Sequence, residues 1–238
     1  MAQPALTKAE REHLDTLVKL FLAHKDTFQV IVDNLEREIF SKKELADEIH
    51  SLRPRVKHPG RLLDKLTRKL TDSKNKGRQF SINDSNLFKK INDLAGIRVL
   101  HLHNEQFEKI DKGLKQLFKD HSYRLIEGPL ARTWDDESRK YFRSIGVNTI
   151  NSPSLYTSVH YVIQANTSVR YTCEIQVRTL MEEVWGEVDH SINYPHKCKS
   201  LACQEQILAL ARSTSACSRL VDSIFRSYED FQRGIARH

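Results

Sequence analysis

The sequence predicts a mixed α/β (α+β) fold in which a mixed β-sheet of about five strands is flanked by helices. Two observations lead to this prediction. Apolar residues recur at helical spacing towards both ends of the chain, and short runs rich in β-branched residues lie between them. Hydrophobic residues also make up 39% of the 238 residues, which is enough to form a buried core. We expect a main domain at residues 51–195, with helical extensions at residues 1–50 and 196–238.

The first part of the chain is predicted to be helical. Apolar residues recur every three or four positions through residues 14–39. Ser41 and Glu44 have the spacing of a capping box, so we expect another helix to begin after Ser41. Pro54 interrupts the pattern, and Pro59 suits the first turn of a following helix, where its missing N–H costs nothing.

The middle of the chain is predicted to alternate between strands and helix. Four segments have the composition of strands: residues 97–103, 123–126, 155–164 and 169–177. A helix is expected at residues 105–119, and a turn at residues 165–168 joins the last two strands as a pair. Two segments show no clear period, a polar and basic loop at 71–86 and residues 127–154. Long irregular segments inside a domain are often functional.

Two helices are predicted after the strands. The first spans residues 179–193, carries an apolar stripe with a spacing of four, and ends at Pro195. The stripe consists of Leu180, Val184, Val188 and Ile192. The last helix, at residues 201–231, contains a heptad seam formed by Ile207, Leu210, Thr214, Cys217, Val221, Ile224, Tyr228 and Phe231. This seam either packs against its own domain or forms a homo-oligomer contact.

Charge and composition limit the classes of partner. A formal net charge of +7 and a pI near 9.2 fit an anionic partner, such as a nucleotide or tRNA, or an ordinary basic surface. No apolar run approaches the roughly 20 residues needed to cross a bilayer, and the N-terminus has no signal-peptide pattern. We therefore expect a cytoplasmic protein with no membrane partner and with its four cysteines reduced.

Acidic residues stand close to the ends of two predicted strands. Asp93 lies on the loop before the strand at 97–103, and Glu174 lies in the strand at 169–177. Two acids at the ends of two strands are a usual means of holding a magnesium ion against nucleotide phosphates. If the two side chains adjoin, a cation should sit between them.

A basic segment precedes the first of these acids. Arg55 and Lys57 are followed by a predicted helix on which Lys65 and Lys69 lie four apart and therefore on one face. Such a face can bind a triphosphate, because arginine forms bidentate contacts and lysine supplies a compact positive charge. The alternative is a solvated basic face.

Further polar side chains are expected on strand faces near the acids. Arg98 lies on an otherwise apolar strand face and needs a partner, such as a phosphate or a carboxylate. Tyr156 and His160 fall on one face of their strand, where Tyr156 can stack on a base or form an aromatic rim. Glu174 and Gln176 share one face of the next strand.

Residues from about 45 to 195 resemble the synthetase domain of the RelA/SpoT family, the ATP-dependent alarmone synthetases. The resemblance rests on four motifs in the same order: residues 55–57 with Lys65, residues 93–98, residues 156–160, and residues 174–179 with Trp185 and His190. It implies a nucleotidyltransferase-like fold. It also implies a stand-alone small synthetase, in which residues 51–195 are the synthetase domain.

The resemblance implies a GTP/GDP pyrophosphokinase-type transferase of the stringent response. ATP would donate its β,γ-pyrophosphate to the 3′-hydroxyl of GDP or GTP, which gives (p)ppGpp and AMP. The resemblance further implies that Asp93 and Glu174 hold Mg²⁺ and that Glu174 takes the proton of the acceptor hydroxyl. It assigns the remaining site residues as follows: ATP to Arg55, Lys57 and Lys65, with Arg98 bracing the metal site, and the acceptor to Tyr156, His160 and Gln176.

One departure from the family pattern leaves the acceptor open. The family usually has glycine immediately before the stacking tyrosine, where this chain has Leu155, and residues 146–154 lack the usual basic residue. The alternative acceptors are the 3′-CCA end of tRNA and adenine nucleotides, as in toxic small synthetases of the family. A binding module without catalysis is a third alternative, and the presence of both Asp93 and Glu174 argues against it.

Overall fold

A mixed sheet of six strands forms the centre of the protein in a computed structural model that describes residues 6–167, 169–194 and 197–235. The strands are β1 (Ser51–Val56), β2 (Ala95–His101), β3 (Arg124–Thr133), β4 (Asn148–Asn151), β5 (Ser158–Gln164) and β6 (Thr172–Thr179). The helices are α1 (Lys8–Ala23), α2 (Lys25–Ser41), α3 (Lys43–Ala46), α4 (Pro59–Asn75), α5 (Leu87–Lys90), α6 (Gln106–Asp120), α7 (Asp136–Ser144), α8 (Leu180–Asn193) and α9 (Leu201–Ile235).

The strand order in the sheet is β1-β2-β6-β5-β3-β4. The pairs β2–β6 and β3–β4 are parallel, and the other neighbouring pairs are antiparallel. The predicted mixed α/β fold is therefore confirmed, with six strands rather than about five. β5 and β6 form the predicted pair. Ser168 in the predicted turn and Pro195 after α8 lie outside the described residues.

One face of the sheet is covered by helices that enclose the main hydrophobic core. Helices α1, α2, α4 and α6 contribute to this core the buried residues Leu14, Leu17, Phe21, Phe28, Leu62, Leu66, Phe107 and Ile110. Ile97 of β2 and Ile175 of β6 enter the same core. They alternate along their strands with Arg98 and Gln176, so these polar residues lie on the opposite face of the sheet. The predicted division at residues 50 and 195 stays a prediction.

The predicted capping box after α2 is wrong. The Ser41 hydroxyl donates to the carbonyl of Glu38, because α2 continues through Ser41 and brings that carbonyl within reach. α3 begins without a side-chain cap. The capping box of this region belongs instead to α1, where Thr7 and Glu10 each accept a hydrogen bond from the other's backbone N–H.

Pro54 lies inside a strand rather than between helices. β1 is an edge strand that pairs only with β2, and Pro54 lies opposite Ile97. An edge strand tolerates proline because the missing N–H can fall on the unpaired side. Pro59 takes its predicted place in the first turn of α4. β1 therefore carries Arg55 directly to the start of α4.

Residues 127–154 contain three elements that the sequence pattern did not reveal: the second half of β3, α7 and β4. The register of β3 against β5 shifts twice, which removes the strict alternation expected of a strand. α7 has only nine residues, of which Phe142 alone is buried. A short helix with one core residue has no periodicity to detect.

Helix α8 spans the predicted residues, but the apolar stripe is not its buried side. Val184 and Ile192 are exposed, whereas Glu182, Glu183 and Trp185 are buried. Buried carboxylates need partners, since an unpaired buried charge is costly. Arginines on the strands beneath α8 pair with Glu183, and Glu182 accepts a hydrogen bond from the Thr157 backbone, so the helix turns its charged side inward.

Helix α9 packs against the domain over only part of its length. Its buried residues are Ile207, Ala211, Thr214, Ser215, Ser218 and Asp222. Further along, the seam residues Ile224, Tyr228 and Phe231 are each more than half exposed. The first part of the predicted seam thus meets the domain and the second part faces away from it. None of the helices in the described ranges is long and apolar enough to cross a membrane.

Candidate active site

A cleft of about 510 Å³ opens on the polar face of the sheet. Strands β2 and β6 form its floor, and its walls are the end of β1, the start of α4, the residues before β5, and α8. Its lining is rich in charged and aromatic side chains, and arginines and lysines outnumber the acids. Such a cleft suits an anionic ligand that also has an aromatic part.

Most of the predicted site residues line this cleft: Arg55, Lys57, Lys65, Asp93, Arg98, Tyr156 and Gln176. The other two, Glu174 and His160, lie next to it on β6 and β5. Glu174 Oε2 accepts a hydrogen bond of 2.8 Å from Gln176 Nε2 and is thereby joined to the cleft lining. The fold thus gathers residues that are spread over more than half of the sequence.

Asp93 forms ion pairs with two lysines. Its Oδ2 is 2.8 Å from Lys57 Nζ, and its Oδ1 is 2.8 Å from Lys65 Nζ. The Lys57 N–H donates to the carbonyl of Leu94, which joins the end of β1 to the loop that carries Asp93. Burial raises the pKa of the Asp93 carboxyl, but the charges of Lys65 and Lys57 outweigh it and lower this pKa to about 2. Asp93 is therefore an anion at neutral pH.

Glu174 is held by residues from two strands. Its Oε1 lies 3.1 Å from His160 Nδ1, and Gln176 donates to its other oxygen. Burial raises the pKa of the Glu174 carboxyl, but the hydrogen bond and charge of His160 reverse this, so the net shift is downward. The charge of Asp93 opposes that shift by raising the pKa of Glu174. The two carboxylates are thus close enough to affect each other.

The pair Asp93 and Glu174 has the chemistry of a magnesium ligand set. Mg²⁺ prefers oxygen ligands and is commonly held by one or two carboxylates together with substrate phosphates and water. Within the described ranges, no cluster of three or more His, Cys, Asp or Glu could hold a metal by itself. The pair therefore fits an ion that is shared with a phosphate ligand.

Tyr156 lies at the opposite wall of the cleft from Asp93 and is fixed through its hydroxyl. That hydroxyl accepts a hydrogen bond of 3.1 Å from Arg178 Nη1 and donates one of 3.3 Å to Gln176 Oε1. The Arg178 guanidinium carbon is 5.4 Å from the centre of the Tyr156 ring. Burial raises the pKa of the Tyr156 phenol. Tyr156 therefore remains a neutral, oriented aromatic ring at physiological pH.

Leu155, immediately before Tyr156, has a left-handed backbone with φ of 58°. This conformation costs a residue with a side chain about 1–2 kcal/mol, whereas glycine adopts it freely. The Leu155 side chain packs against a small cluster of Trp185, Ile207 and Ala211, which joins α8 to α9. Leu155 thus keeps a backbone shape that suits glycine while tying the loop to α9.

An aromatic and cationic stack closes one end of the cleft. The guanidinium of Arg61 lies 4.1 Å from the centre of the Tyr194 ring, and His190 stacks on Tyr194 at 4.7 Å with an angle of 14°. All three residues line the cleft. Tyr194 follows His190 by four residues and stands directly after the last residue of α8, so a helical spacing counted from His190 would have pointed to it.

Nothing in the sequence pattern singles out Gly186, which also lines the cleft. A Cβ atom at this position would lie 2.9 Å from Arg178 Nη1 and 3.9 Å from Cε2 of Tyr156. The absence of a side chain therefore makes room for the Arg178 guanidinium. Only the tertiary structure reveals this requirement, because Gly186 is otherwise an ordinary helical position.

The sheet and its cleft define a mixed α/β protein whose basic cleft contains Asp93 and adjoins Glu174. The family model described as "Region found in RelA / SpoT proteins" matches residues 54–199, which is more than half of the chain. The chain therefore belongs to the RelA/SpoT family. A search of curated protein sequences found no match.

Solved structures share this fold at low sequence identity. Small alarmone synthetase 1 from Bacillus subtilis bound to its product pppGpp has a TM-score of 0.59 and 19% identity, covering 85% of this chain and 93% of that one. The same protein bound to AMPCPP gives 0.57 and 14%, with coverage of 85% and 95%. A GTP pyrophosphokinase family protein from Streptococcus pneumoniae gives 0.56 and 19%, with coverage of 95% and 98%. By their names, these similar proteins are transferases.

Proposed function

We propose that this protein is an ATP-dependent pyrophosphokinase that makes (p)ppGpp from GDP or GTP. The observation that carries the proposal is the cleft itself. Its basic wall contains Lys57 and Lys65 around Asp93, and its other wall contains Tyr156. A donor triphosphate and an acceptor base need these two kinds of surface on either side of the transferred group.

The donor side of the cleft, formed by the end of β1, the start of α4 and Asp93, binds ATP in this proposal. Arg55, Lys57 and Lys65 supply positive charge for a triphosphate, and Arg98 lies on the floor beside them. The similar Bacillus protein has been solved with AMPCPP, which is an ATP analogue and supports a donor of this kind.

The lysines that hold Asp93 would exchange partners when the donor binds. A triphosphate offers Lys57 and Lys65 several negative oxygens in place of one carboxylate, which leaves Asp93 free to face a cation. Asp93 and Glu174 would then hold Mg²⁺, which supplies charge neutralisation on the transferred phosphates.

The acceptor side, formed by residues 152–157 and the start of α8, binds the guanine nucleotide. Tyr156 stacks on the base, and Gln176 and His160 orient the ribose end of the acceptor. The 3′-oxygen forms a bond to the β-phosphorus of ATP as the bond from that phosphorus to the α,β-bridging oxygen breaks, and AMP leaves with that electron pair. Glu174, whose lowered pKa keeps it ionised at neutral pH, accepts the 3′-hydroxyl proton. A similar protein solved with pppGpp supports a guanine acceptor.

A tRNA 3′ end is the second candidate acceptor, and the distribution of charge favours it. Residues 53–90 contain twelve lysines and arginines and three aspartates, so this segment is more positive than the whole chain at +7. Beyond the cleft, α4 continues to a second groove of about 350 Å³, lined by Lys69, Lys76, Arg78 and Lys90. A basic track of this length suits a polyanion better than a mononucleotide.

Product labelling separates these acceptors. The protein is incubated with γ-labelled ATP and with GDP, GTP, ADP or deacylated tRNA in parallel, and Asp93→Asn serves as the control for transfer. We expect the wild-type protein to transfer the label to GDP and GTP, and we expect no transfer in the reactions with Asp93→Asn. Label only in tRNA, with a steep loss at higher salt, would replace the guanine acceptor with tRNA and keep the pyrophosphokinase chemistry. No labelled product from any acceptor would contradict the proposed function itself.

We also propose self-association through the outer face of α9. The exposed side chains Leu220, Ile224, Tyr228, Phe231 and Ile235 follow one another at spacings of three and four, so they form one continuous apolar face. Sedimentation should show a homo-oligomer that Tyr228→Asp dissociates, whereas Asp230→Asn, which lies off this face, should not. A wild-type monomer would contradict this proposal.

The cytoplasmic location expected from the sequence stays a prediction.

A further inference from the structure

We infer that Glu183 is a positioning residue for the acceptor side of the cleft. Its carboxylate holds Arg98 and Arg178, and through Arg178 it fixes Tyr156. The inference rests on the proposed function for its kinetic meaning, and it assigns a role to a residue that has no part in the four family motifs.

Three arginines from three neighbouring strands converge on this carboxylate. Glu183 Oε1 is 3.0 Å from Arg98 Nη1 on β2 and 3.7 Å from Arg53 Nη1 on β1, while Oε2 pairs with Arg178 on β6. In the strand order β1-β2-β6, Arg53 lies opposite Arg98, and Arg178 lies opposite Leu100, two residues beyond Arg98 and on the same face of the sheet. α8 starts directly after β6 and brings Glu183 over them in its first turn.

The three arginines do not depend on Glu183 equally. The exposed fraction of the side chain is 59% for Arg53, 19% for Arg98 and 3% for Arg178, while that of Glu183 is 5%. Water can solvate Arg53 if its partner is lost. A guanidinium buried as deeply as that of Arg178 needs a carboxylate, because burying a charge unpaired is costly. Loss of Glu183 would therefore displace Arg178 before Arg53.

Arg178 transmits this constraint to the acceptor side. Its Nη1 occupies the space above Gly186 and donates to the Tyr156 hydroxyl at 3.1 Å. Tyr156 in turn donates to Gln176, and Gln176 donates to Glu174. A continuous series of polar contacts thus runs from Glu183 to the carboxylate that accepts the proton in the proposed reaction. Glu183 itself touches no proposed substrate position.

Steady-state kinetics of Glu183→Gln tests this role against a matched control. Gln keeps the size of the side chain but cannot offer a charge to two guanidiniums. We expect the acceptor KM to rise roughly tenfold and the kcat to change by less than about threefold, since the lost contacts orient bound groups. Arg53→Gln removes an ion pair with the same carboxylate but no residue of the cleft, so its KM values should stay within about twofold of wild type.

A double variant with Tyr156→Phe distinguishes positioning from a general loss of stability. Tyr156→Phe removes the hydroxyl to which Arg178 donates. If Glu183 acts through Arg178 on that hydroxyl, the acceptor KM of the double variant should be close to that of Glu183→Gln alone. Additive increases in KM, or an acceptor KM within twofold of wild type in Glu183→Gln, would overturn the inference.

A crystal structure of Glu183→Gln without ligand gives a test that is independent of activity. We expect Arg178 Nη1 to leave hydrogen-bond distance of the Tyr156 hydroxyl, and an unmoved Arg178 would overturn the inference even if no acceptor is ever labelled. Absence of transfer by the wild-type protein would instead refute only the proposed function. If Glu183→Gln does not fold, Glu183→Asp serves instead, because its shorter side chain keeps the charge but moves it away from Arg178. The same displacement of Arg178 from the Tyr156 hydroxyl is then expected, and an unmoved Arg178 would overturn the inference.

Discussion

Two carboxylates have opposite pKa shifts: Asp93, which lines the cleft, and Glu182, which is buried at the start of α8 outside the cleft lining. On the donor side, Asp93 lies between Lys57 and Lys65, whose charges lower its pKa to about 2. Next to the loop that carries Tyr156, burial raises the pKa of Glu182 to about 7, and a hydrogen bond from the Thr157 backbone and the charge of Arg178 offset this only in part. Asp93 therefore has a fixed charge across the physiological range, whereas the pKa of Glu182, outside the cleft lining, is raised towards neutral pH.

The two sides also differ in how their backbone is built. On the donor side, Arg55 lies on the edge strand β1 and Lys65 on α4, while Lys57 and Asp93 lie next to the ends of strands. The acceptor residue Tyr156 follows the left-handed Leu155 in an irregular loop. Ion pairs set the donor side, whereas the acceptor side combines the Glu183–Arg178 ion pair with a strained loop that packs on α9. The difference teaches that one half of such a site can be fixed by charge alone and the other by charge and packing together.

Removing the fixed charge of the donor side should have the largest effect. We expect Asp93→Asn or Glu174→Gln to lower the rate of transfer by roughly 1,000-fold, because each removes a carboxylate that would hold the Mg²⁺ needed to neutralise charge on the transferred phosphates. Asp64→Asn, on the exposed side of α4, is the control, and circular dichroism checks the fold of each variant. Near-normal turnover in Glu174→Gln would remove Glu174 from the site.

The pH dependence of stability should show the opposite treatment of Glu182. Because the pKa of Glu182 is raised in the folded protein, the protonated side chain contributes fully to the free energy of unfolding below a pH of about 4.5. This contribution is lost as the pH rises towards about 7. From the shift, roughly 2–3 kcal/mol of unfolding free energy should be lost over this range. Glu182→Gln should abolish that slope in urea titrations between pH 4.5 and 8. An unchanged slope in Glu182→Gln would show that another group titrates.

Tyr156→Ala should separate acceptor binding from donor binding. A lost stacking contact is worth about 1–3 kcal/mol per base, so the acceptor KM should rise by about fivefold to 150-fold. The affinity for a non-transferable ATP analogue, measured by calorimetry, should change little. Equal losses in both affinities would mean that Tyr156 only packs the cleft wall.

Removing a positive charge on the donor side should weaken ATP binding and leave acceptor binding almost unchanged. Lys57→Gln and Lys65→Gln should each raise the ATP KM about tenfold, since a charge-assisted contact to phosphate is worth about 1.5–3 kcal/mol. Lys69→Gln, one turn further along α4 and outside the cleft, is the matched control. If all three variants need the same ATP concentration, the basic face is merely solvated.

The smallest expected effect concerns Leu155. Leu155→Ala loses packing and keeps the left-handed backbone, whereas Leu155→Gly loses packing and removes the strain. The glycine variant should therefore be more stable than the alanine variant by about 1 kcal/mol in urea unfolding. It should also preserve or improve transfer to GDP or GTP. A glycine variant less stable than the alanine variant would show that the loop carries no such strain.

The sequence predicted the donor side better than the acceptor side. Arg55, Lys57 and Asp93 stand in short contiguous motifs, and the resemblance of these motifs to the family grouped them in one site, although periodicity did not predict β1. Glu183 and Gly186 could not be predicted in the same way, because their importance depends on arginines of distant strands. Periodicity also predicted the wrong buried side of α8. From sequence alone, a stripe of apolar residues is expected to be buried in preference to two glutamates, because the partners of the glutamates are not visible.

The fold itself was largely predictable from the sequence, and the strands that the sequence pattern missed have a common cause. The long helices and the central strands have regular apolar patterns, which is why they were found. β1 contains Pro54, and β3 contains two shifts of register, so neither shows a clean alternation. Edge and irregular strands are specified by their neighbours in the sheet rather than by their own composition.

The packing of Leu155 against α9 also decides how short a working version of this protein can be. The region shared with the family ends at residue 199, whereas Ile207 and Ala211 lie beyond it. A fragment cut at that boundary would leave Trp185 and Leu155 uncovered and would release the loop that carries Tyr156. Any minimal fragment for crystallisation or domain grafting must therefore keep the first turns of α9, and a boundary drawn from family similarity alone would remove the support of the acceptor loop.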